Sequence, residues 1–311
     1  MGTFMLQEYF GLKDNPFSIH PNPHYYCDLK FHEEALQMVI YSVKNYDTLI
    51  KITGQIGLGK SMVAACVRDK LKITHHVCEI RNPNMKIESL ITSLINQLPR
   101  KEVLGSEKDL LPVDILESRL KYFNEHVQPV VLIIDEAQAM EDSLLETLRL
   151  LTNLEQRGRP LLQIILFGQK ELDVKLAQDK FKQLRQRICF SYEIRSLRLR
   201  EVIFYINFRL SVAGIEGRSI FHQDAMEMIA KYTKGVPRNI NIIAHKAMLF
   251  ASSAQSLDVK KSHVWQALRD HGLVSMYDVF SRWKIYLIIL LVALNLVVAL
   301  NIFLLYTNGV L

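Results

Sequence analysis

The spacing of apolar positions changes along this chain. Between residues 48 and 194, short and almost wholly apolar runs alternate with longer stretches whose apolar residues recur at helical spacing. The runs at 48–53, 75–80, 130–134, 161–167 and 188–194 predict strands, and the stretches at 60–72, 86–98, 113–127 and 142–156 predict helices. Val130-Val131-Leu132-Ile133-Ile134 offers no polar residue to water, which predicts a central strand buried on both faces. Strands alternating with helices predict an α/β fold, a parallel sheet between two helical layers. From 198 to 271 only helical spacing remains, as expected of a small all-helical domain. Phe31 to Asn45 also has helical spacing, through Ala35, Leu36, Val39, Ile40 and Val43. Residues 1–30 carry Pro16, Pro21 and Pro23 and read as an irregular, extended arm; Glu102 to Asp109 reads as a polar surface loop.

A different pattern closes the chain. Residues 285–306 carry no charge and are nearly all aliphatic, and as a helix they would be about 33 Å long, enough to cross a bilayer. Trp283 and Tyr306 flank the run, and Arg282 and Lys284 lie on its N-terminal side. The positive-inside rule then keeps the N-terminal bulk in the cytoplasm. The expected division is an arm over 1–30, an αβα core over 31–194, a helical lid over 195–272, a linker over 273–284, a transmembrane helix over 285–306 and a tail over 307–311.

Composition adds two constraints. The four cysteines, Cys27, Cys66, Cys78 and Cys189, form no C-x-x-C pair, which argues against a zinc site or disulfide framework and for a reducing compartment. Residues 1–194 hold 24 Lys and Arg against 25 Asp and Glu, whereas residues 195–284 hold 14 against 7. The basic excess therefore lies beside the apolar segment. Anionic lipid, nucleic acid and a plain solvated surface all account for it.

The chemistry concentrates in Gly54-Gln55-Ile56-Gly57-Leu58-Gly59-Lys60-Ser61, set between a predicted strand and a predicted helix that opens toward Met62. The pattern G-x-x-x-x-G-K-[ST] is a phosphate-binding loop. Gly54, Gly57 and Gly59 let backbone N–H groups crowd a polyphosphate. The following helix aims its positive end there. Lys60 supplies a charge to the β- and γ-phosphates and Ser61 a hydroxyl for magnesium. Asp135-Glu136 ends the buried run at 130–134, and two carboxylates there are costly unless a cation or a reacting water uses them. Asp135 suits organising magnesium; Glu136 suits a general base.

Gln169 follows the strand at 161–167, and strand order places it beside those carboxylates, able to orient a water or sense the γ-phosphate. Arg185 and Arg187 precede the last strand; either could reach a neighbouring copy's γ-phosphate or be plain surface charge. Gly235-Val236-Pro237-Arg238 opens a helix of the lid and puts Arg238 at the junction of core and lid.

Together these stretches resemble an AAA+ ATPase. Tyr9 to Phe17, Ile133 to Gln138, Leu162 to Gln169, Leu184 to Ile188 and Gly235 to Asn241 resemble the general secretion pathway protein A (GspA/ExeA) family and its pilus-assembly relative MshM. The resemblance covers about residues 5–270, and the N-terminal stretch is its most family-specific part. It implies a P-loop NTPase core using ATP and magnesium, with Lys60 and Ser61 as Walker A residues and Asp135 and Glu136 as the Walker B pair. It also implies Gln169 at sensor 1, Arg185 or Arg187 as arginine finger, and Arg238 at sensor 2. Two departures stand out: Lys170 replaces a frequent proline, and the chain stops five residues after the apolar run, where the family continues into a periplasmic peptidoglycan-binding domain.

The expectation is an ATP hydrolase anchored by one span in a bacterial inner membrane. It would form an ATP-dependent homo-oligomer with an inner-membrane secretion or pilus-assembly partner. Two alternatives are a nucleic-acid-dependent switch like the transposition-helper ATPases, and an ATP-binding scaffold without turnover.

Overall fold

The computed structural model describes residues 2–98, 111–215, 217, 219–273, 291–292 and 295–297. Five strands, β1 (Leu49–Gly54), β2 (His76–Ile80), β3 (Val130–Ile134), β6 (Leu162–Gly168) and β7 (Ile188–Ile194), form one sheet in the order β2-β3-β6-β1-β7. All pairings within it are parallel. The central strands β3 and β6 are buried throughout, while the edge strand β7 alternates between half-buried and exposed residues. Thr53 pairs with Gly168 and Ile134 with Leu166, so the carboxyl ends of β1, β6 and β3 lie side by side.

Helices α2 (Lys30–Lys44) and α3 (Lys60–Leu71) lie on one face of this sheet. Helices α4 (Ile87–Gln97), α5 (Pro112–His126), α6 (Asp142–Leu151), α7 (Lys170–Leu176) and α8 (Lys182–Arg187) serve the other. Period-2 geometry splits each central strand between two cores. Val131, Ile133, Ile165 and Phe167 face α2 and α3, and Val130, Leu132, Ile164 and Leu166 face the side of α4 to α8. Four helices follow: α9 (Leu199–Val212), α10 (Gln223–Thr233), α11 (Pro237–Ser253) and α12 (Lys261–Asp270). Their buried residues are continuous with the α2–α3 core.

Two expectations need revision. The arm expected to be irregular over residues 1–30 begins with helix α1 (Gly2–Phe10); no proline precedes Pro16, and Leu6 and Phe10 are buried in the shared core. The helix expected over 142–156 stops at Leu151. Thr152 returns its hydroxyl to the Arg149 carbonyl (2.7 Å), and Arg157 and Gly158 take positive φ to turn a hairpin of β4 (Glu155–Gln156) and β5 (Arg159–Pro160). The loop expected over 102–109 lies outside the described residues, as does all of 285–306 except five positions. Among the described residues no helix is long and apolar enough to cross a membrane.

Candidate nucleotide-binding site

A cleft of about 440 Å³ opens where the carboxyl ends of β1, β3 and β6 face α9, α11 and the N-terminal arm. The 54–61 loop forms its floor. Gly57 and Gly59 have φ of 81° and 92°, conformations that L side chains rarely adopt, and α3 begins directly after them at Lys60. Gly54 is needed for a different reason: a Cβ there would meet the Ile194 carbonyl of β7 at 2.8 Å. Ile56, Gly57, Gly59, Lys60, Ser61 and Met62 line the cleft. Leu58 turns its side chain into the core, and Gln55 points its side chain outward.

Lys60 is buried and donates to the Gly54 and Gln55 carbonyls at 2.8 and 2.9 Å. Burial holds its pKa below the ordinary lysine value, against the opposing pull of Glu136, Asp135 and Glu171. Asp135 sits at the end of β3, its carboxylate near enough to the Ser61 hydroxyl to be favoured by it and accepting from the Glu136 N–H at 2.9 Å. Burial raises its pKa despite those bonds. A smaller cleft of about 260 Å³ adjoins the first through Pro21 and Ser61, runs between α3 and the ends of β2 and β3, and is lined by Asp135.

Glu136 stands in the left-handed region at φ 54°, a strained position for a residue with a Cβ. Two amides hold its carboxylate: Gln169 donates to Oε2 at 3.1 Å and Gln138 to the same oxygen at 2.5 Å. Gln138 also accepts from the Gln169 backbone N–H at 2.9 Å, closing a loop between the ends of β3 and β6. The structure thus brings Gln169 onto Glu136, and it adds Gln138, to which the sequence alone assigns no role. The only cue to it was its place two residues after Glu136.

Arg238 borders the cleft at the start of α11, and its N–H donates to the Gly57 carbonyl at 3.2 Å. Pro237 and Gly235 set that approach. Gly235 has φ 70°, and a Cβ on it would lie 1.9 Å from the Leu197 carbonyl. Arg185 and Arg187 are not brought to the cleft of their own chain; both are exposed on α8. Arg185 donates to the Leu176 and Ala177 carbonyls, each at 2.9 Å, and so closes the end of α7.

The far wall comes from residues to which the sequence assigns no role in the cleft. Tyr25, Tyr26 and Cys27 of the arm, His32 of α2 and Tyr205, Arg209 and Asn241 of the helical region line it. Arg209 is 3 % exposed. It donates to the carbonyls of Pro16 and Ser18 and to the Tyr205 hydroxyl, and lies over the Tyr25 ring at 4.8 Å. Asn241 joins the same knot, donating to Ser18 at 3.2 Å and accepting from Tyr205 at 3.0 Å. No local pattern reveals such a knot, because its arm carbonyls lie 191 to 223 residues from the donors of the helical region.

A family model described as AAA domain matches residues 43–176. General secretion pathway protein A of Aeromonas hydrophila is 35% identical over 249 residues, covering 79% of this chain and 45% of that protein. The chain therefore spans about half the length of that curated relative. Among solved structures, the Aeropyrum pernix ORC2 protein in its ADPNP–ADP complexes matches with a TM-score of 0.60 at 15% identity, covering 79% of this chain and 68% of that one. Drosophila ORC bound to DNA matches at 0.62 with 16% identity, covering 88% and 67%. The Thermotoga maritima RuvB Holliday junction branch migration motor matches at 0.52 with 17% identity, covering 76% and 67%. At these identities the structural matches speak for the fold alone.

Proposed function

We propose, from the premise that this chain belongs to the AAA+ ATPase family of the general secretion pathway protein A type, that its cleft binds ATP with magnesium and hydrolyses it. One observation carries this reading: Lys60, Asp135, Glu136 and Gln169 converge where β1, β3 and β6 end together. Lys60 and the loop N–H groups hold the phosphates and offset charge that builds up on the γ-phosphate. Glu136, steadied by Gln138 and Gln169, takes the proton of the attacking water.

Ser61 and Asp135 fit magnesium by their chemistry. A hydroxyl and a carboxylate in contact form a hard-oxygen pair, and phosphate oxygens and water complete such a site. The raised pKa of Asp135 marks a carboxyl stripped of water with only partial compensation, as a cation's ligand would be. When bound, the metal neutralises charge on the β- and γ-phosphates.

Arg238 reports the phosphate state to α11, and Arg185 or Arg187 reaches the cleft of a second copy, so the working unit is an ATP-dependent homo-oligomer. The process served is assembly of a type II secretion or type IV pilus-like envelope machine, by kinship with the secretion protein. The apolar run at 285–306 anchors the chain in the inner membrane with the cleft on the cytoplasmic side.

Steady-state turnover of ATP tests the chemistry. Lys60→Ala should abolish both binding and hydrolysis. Glu136→Gln should retain ATP binding while kcat falls by about 10²-fold or more. Undiminished turnover in both variants overturns the assignment. Resistance of the full chain to alkaline extraction from membranes, lost on deleting 285–306, tests the anchor.

A further inference from the structure

His32 is a buried histidine that the chemistry above does not use. It lies on α2, is 7 % exposed, and borders the cleft beside Gly59 and Lys60. Its Nε2 is 2.9 Å from the carbonyl oxygen of Leu58, inside the phosphate loop. A carbonyl only accepts, so Nε2 carries the proton. The ring is held on its other sides by Phe31, with centroids 4.3 Å apart, and by Tyr26 at 6.5 Å.

The Leu58–Gly59 peptide is the link whose orientation matters most to an anion. In a planar trans peptide the C=O and the next N–H point in opposite directions. Holding the Leu58 carbonyl against His32 therefore sends the Gly59 N–H the other way. Gly59 sits at φ 92°, and glycine takes either sign of φ at little cost, so on the Gly59 side a flip of this peptide meets no barrier from a Cβ. A flipped peptide would present a carbonyl, the wrong end of the dipole, to a phosphate. The fit is also close: a Cβ on Gly59 would lie 3.3 Å from His32 Nε2.

We propose that His32 is a positioning residue that locks the Leu58–Gly59 peptide plane, so that the Gly59 N–H is offered to the polyphosphate. Burial keeps the imidazole pKa below its ordinary value, so at pH 7 the ring is neutral and donates without adding a charge under the loop. This assignment rests on the ATP-binding reading of the cleft and names a residue that sets its affinity.

Three substitutions in the full chain separate the hydrogen bond from mere packing. Gln carries an amide nitrogen as many bonds from Cβ as Nε2, Asn carries one at the position of Nδ1, and Phe keeps the ring without a donor. A fluorescent ATP analogue gives Kd, and steady-state assays give KM and kcat. His32→Phe and His32→Asn should raise Kd and KM about tenfold, the equivalent of one buried hydrogen bond, with kcat at saturation little changed. His32→Gln should restore both to within about threefold of wild type. Equal impairment in the Gln and Phe variants, or wild-type affinity in His32→Phe, overturns the lock. Failure of the wild-type chain to bind the analogue overturns the ATP reading and the lock with it; wild-type binding that is indifferent to residue 32 overturns the lock alone.

Discussion

The two faces of the sheet are closed in different ways. Apart from Leu49, the face carrying α4 to α8 is covered by residues between 78 and 184, each element packing on those near it in sequence. The opposite face is covered by α2 and α3, and their core continues into α1, the arm and α9 to α12, so one cluster of buried residues runs from Leu6 to Leu268. The arm is pinned to the helical region at Lys13, whose N–H donates to the Ala213 carbonyl at 2.8 Å, and through Phe17 against Phe221, with ring centroids 5.9 Å apart. The cleft opens on this second side. The first face therefore serves the fold, while the second makes the fold and the site depend on the same contacts.

That contrast can be broken most severely at Gly235. An alanine there combines φ 70° with an overlap on the Leu197 carbonyl at 1.9 Å. Gly235→Ala should cost about 4 kcal/mol or more and abolish ATP binding, because α11 and Arg238 can no longer seat on the loop. An unchanged denaturation midpoint would show that the junction yields freely.

A matched pair sharpens the comparison. Leu144→Ala on the first face removes a fully buried side chain, at a cost of about 2–5 kcal/mol. Arg209→Met on the second face leaves the Pro16 and Ser18 carbonyls and the Tyr205 hydroxyl without their donor, at a cost of about 2–4 kcal/mol. Stability should fall comparably in both, yet below the melting range only Arg209→Met should raise KM for ATP, by several-fold. Equal KM values would remove the distinction between the faces.

The smallest effect belongs to the ion pair where the sheet passes into α9. Arg195 grips Glu201 through two bonds of 2.7 and 2.8 Å and holds its carboxyl below the usual range. A depressed folded-state pKa contributes stability above the unfolded value near 4.3 and loses it as pH falls through the folded value. The stability gap between wild type and Glu201→Gln should thus be full at pH 7 and close in acid. A gap that persists in strong acid, once the carboxyl is protonated in both states, would mean the carboxylate's charge is not what matters.

Much of the first face could be read from the sequence, and much of the second could not. Apolar runs such as 130–134 and 162–167 have one low-energy use, a strand with both faces covered, so the parallel sheet followed from them. The loop at 54–61 and the pair Asp135-Glu136 were legible because their chemistry is contiguous in the chain. His32 and Arg209 were not. His32 is marked only by the Leu58 carbonyl 26 residues on, and Arg209 by partners 191 and 193 residues away.

The sequence by itself determined the alternation of strands and helices, the phosphate loop and the acidic pair, because each rests on residues adjacent in the chain. Only the tertiary structure decided that the arm walls the cleft, that Gln138 and Gln169 share one oxygen of Glu136, and that a histidine from α2 supports the loop. Those facts depend on where buried donors find acceptors. A donor removed from water must be paired wherever the fold brings an acceptor, and local sequence does not record that distance.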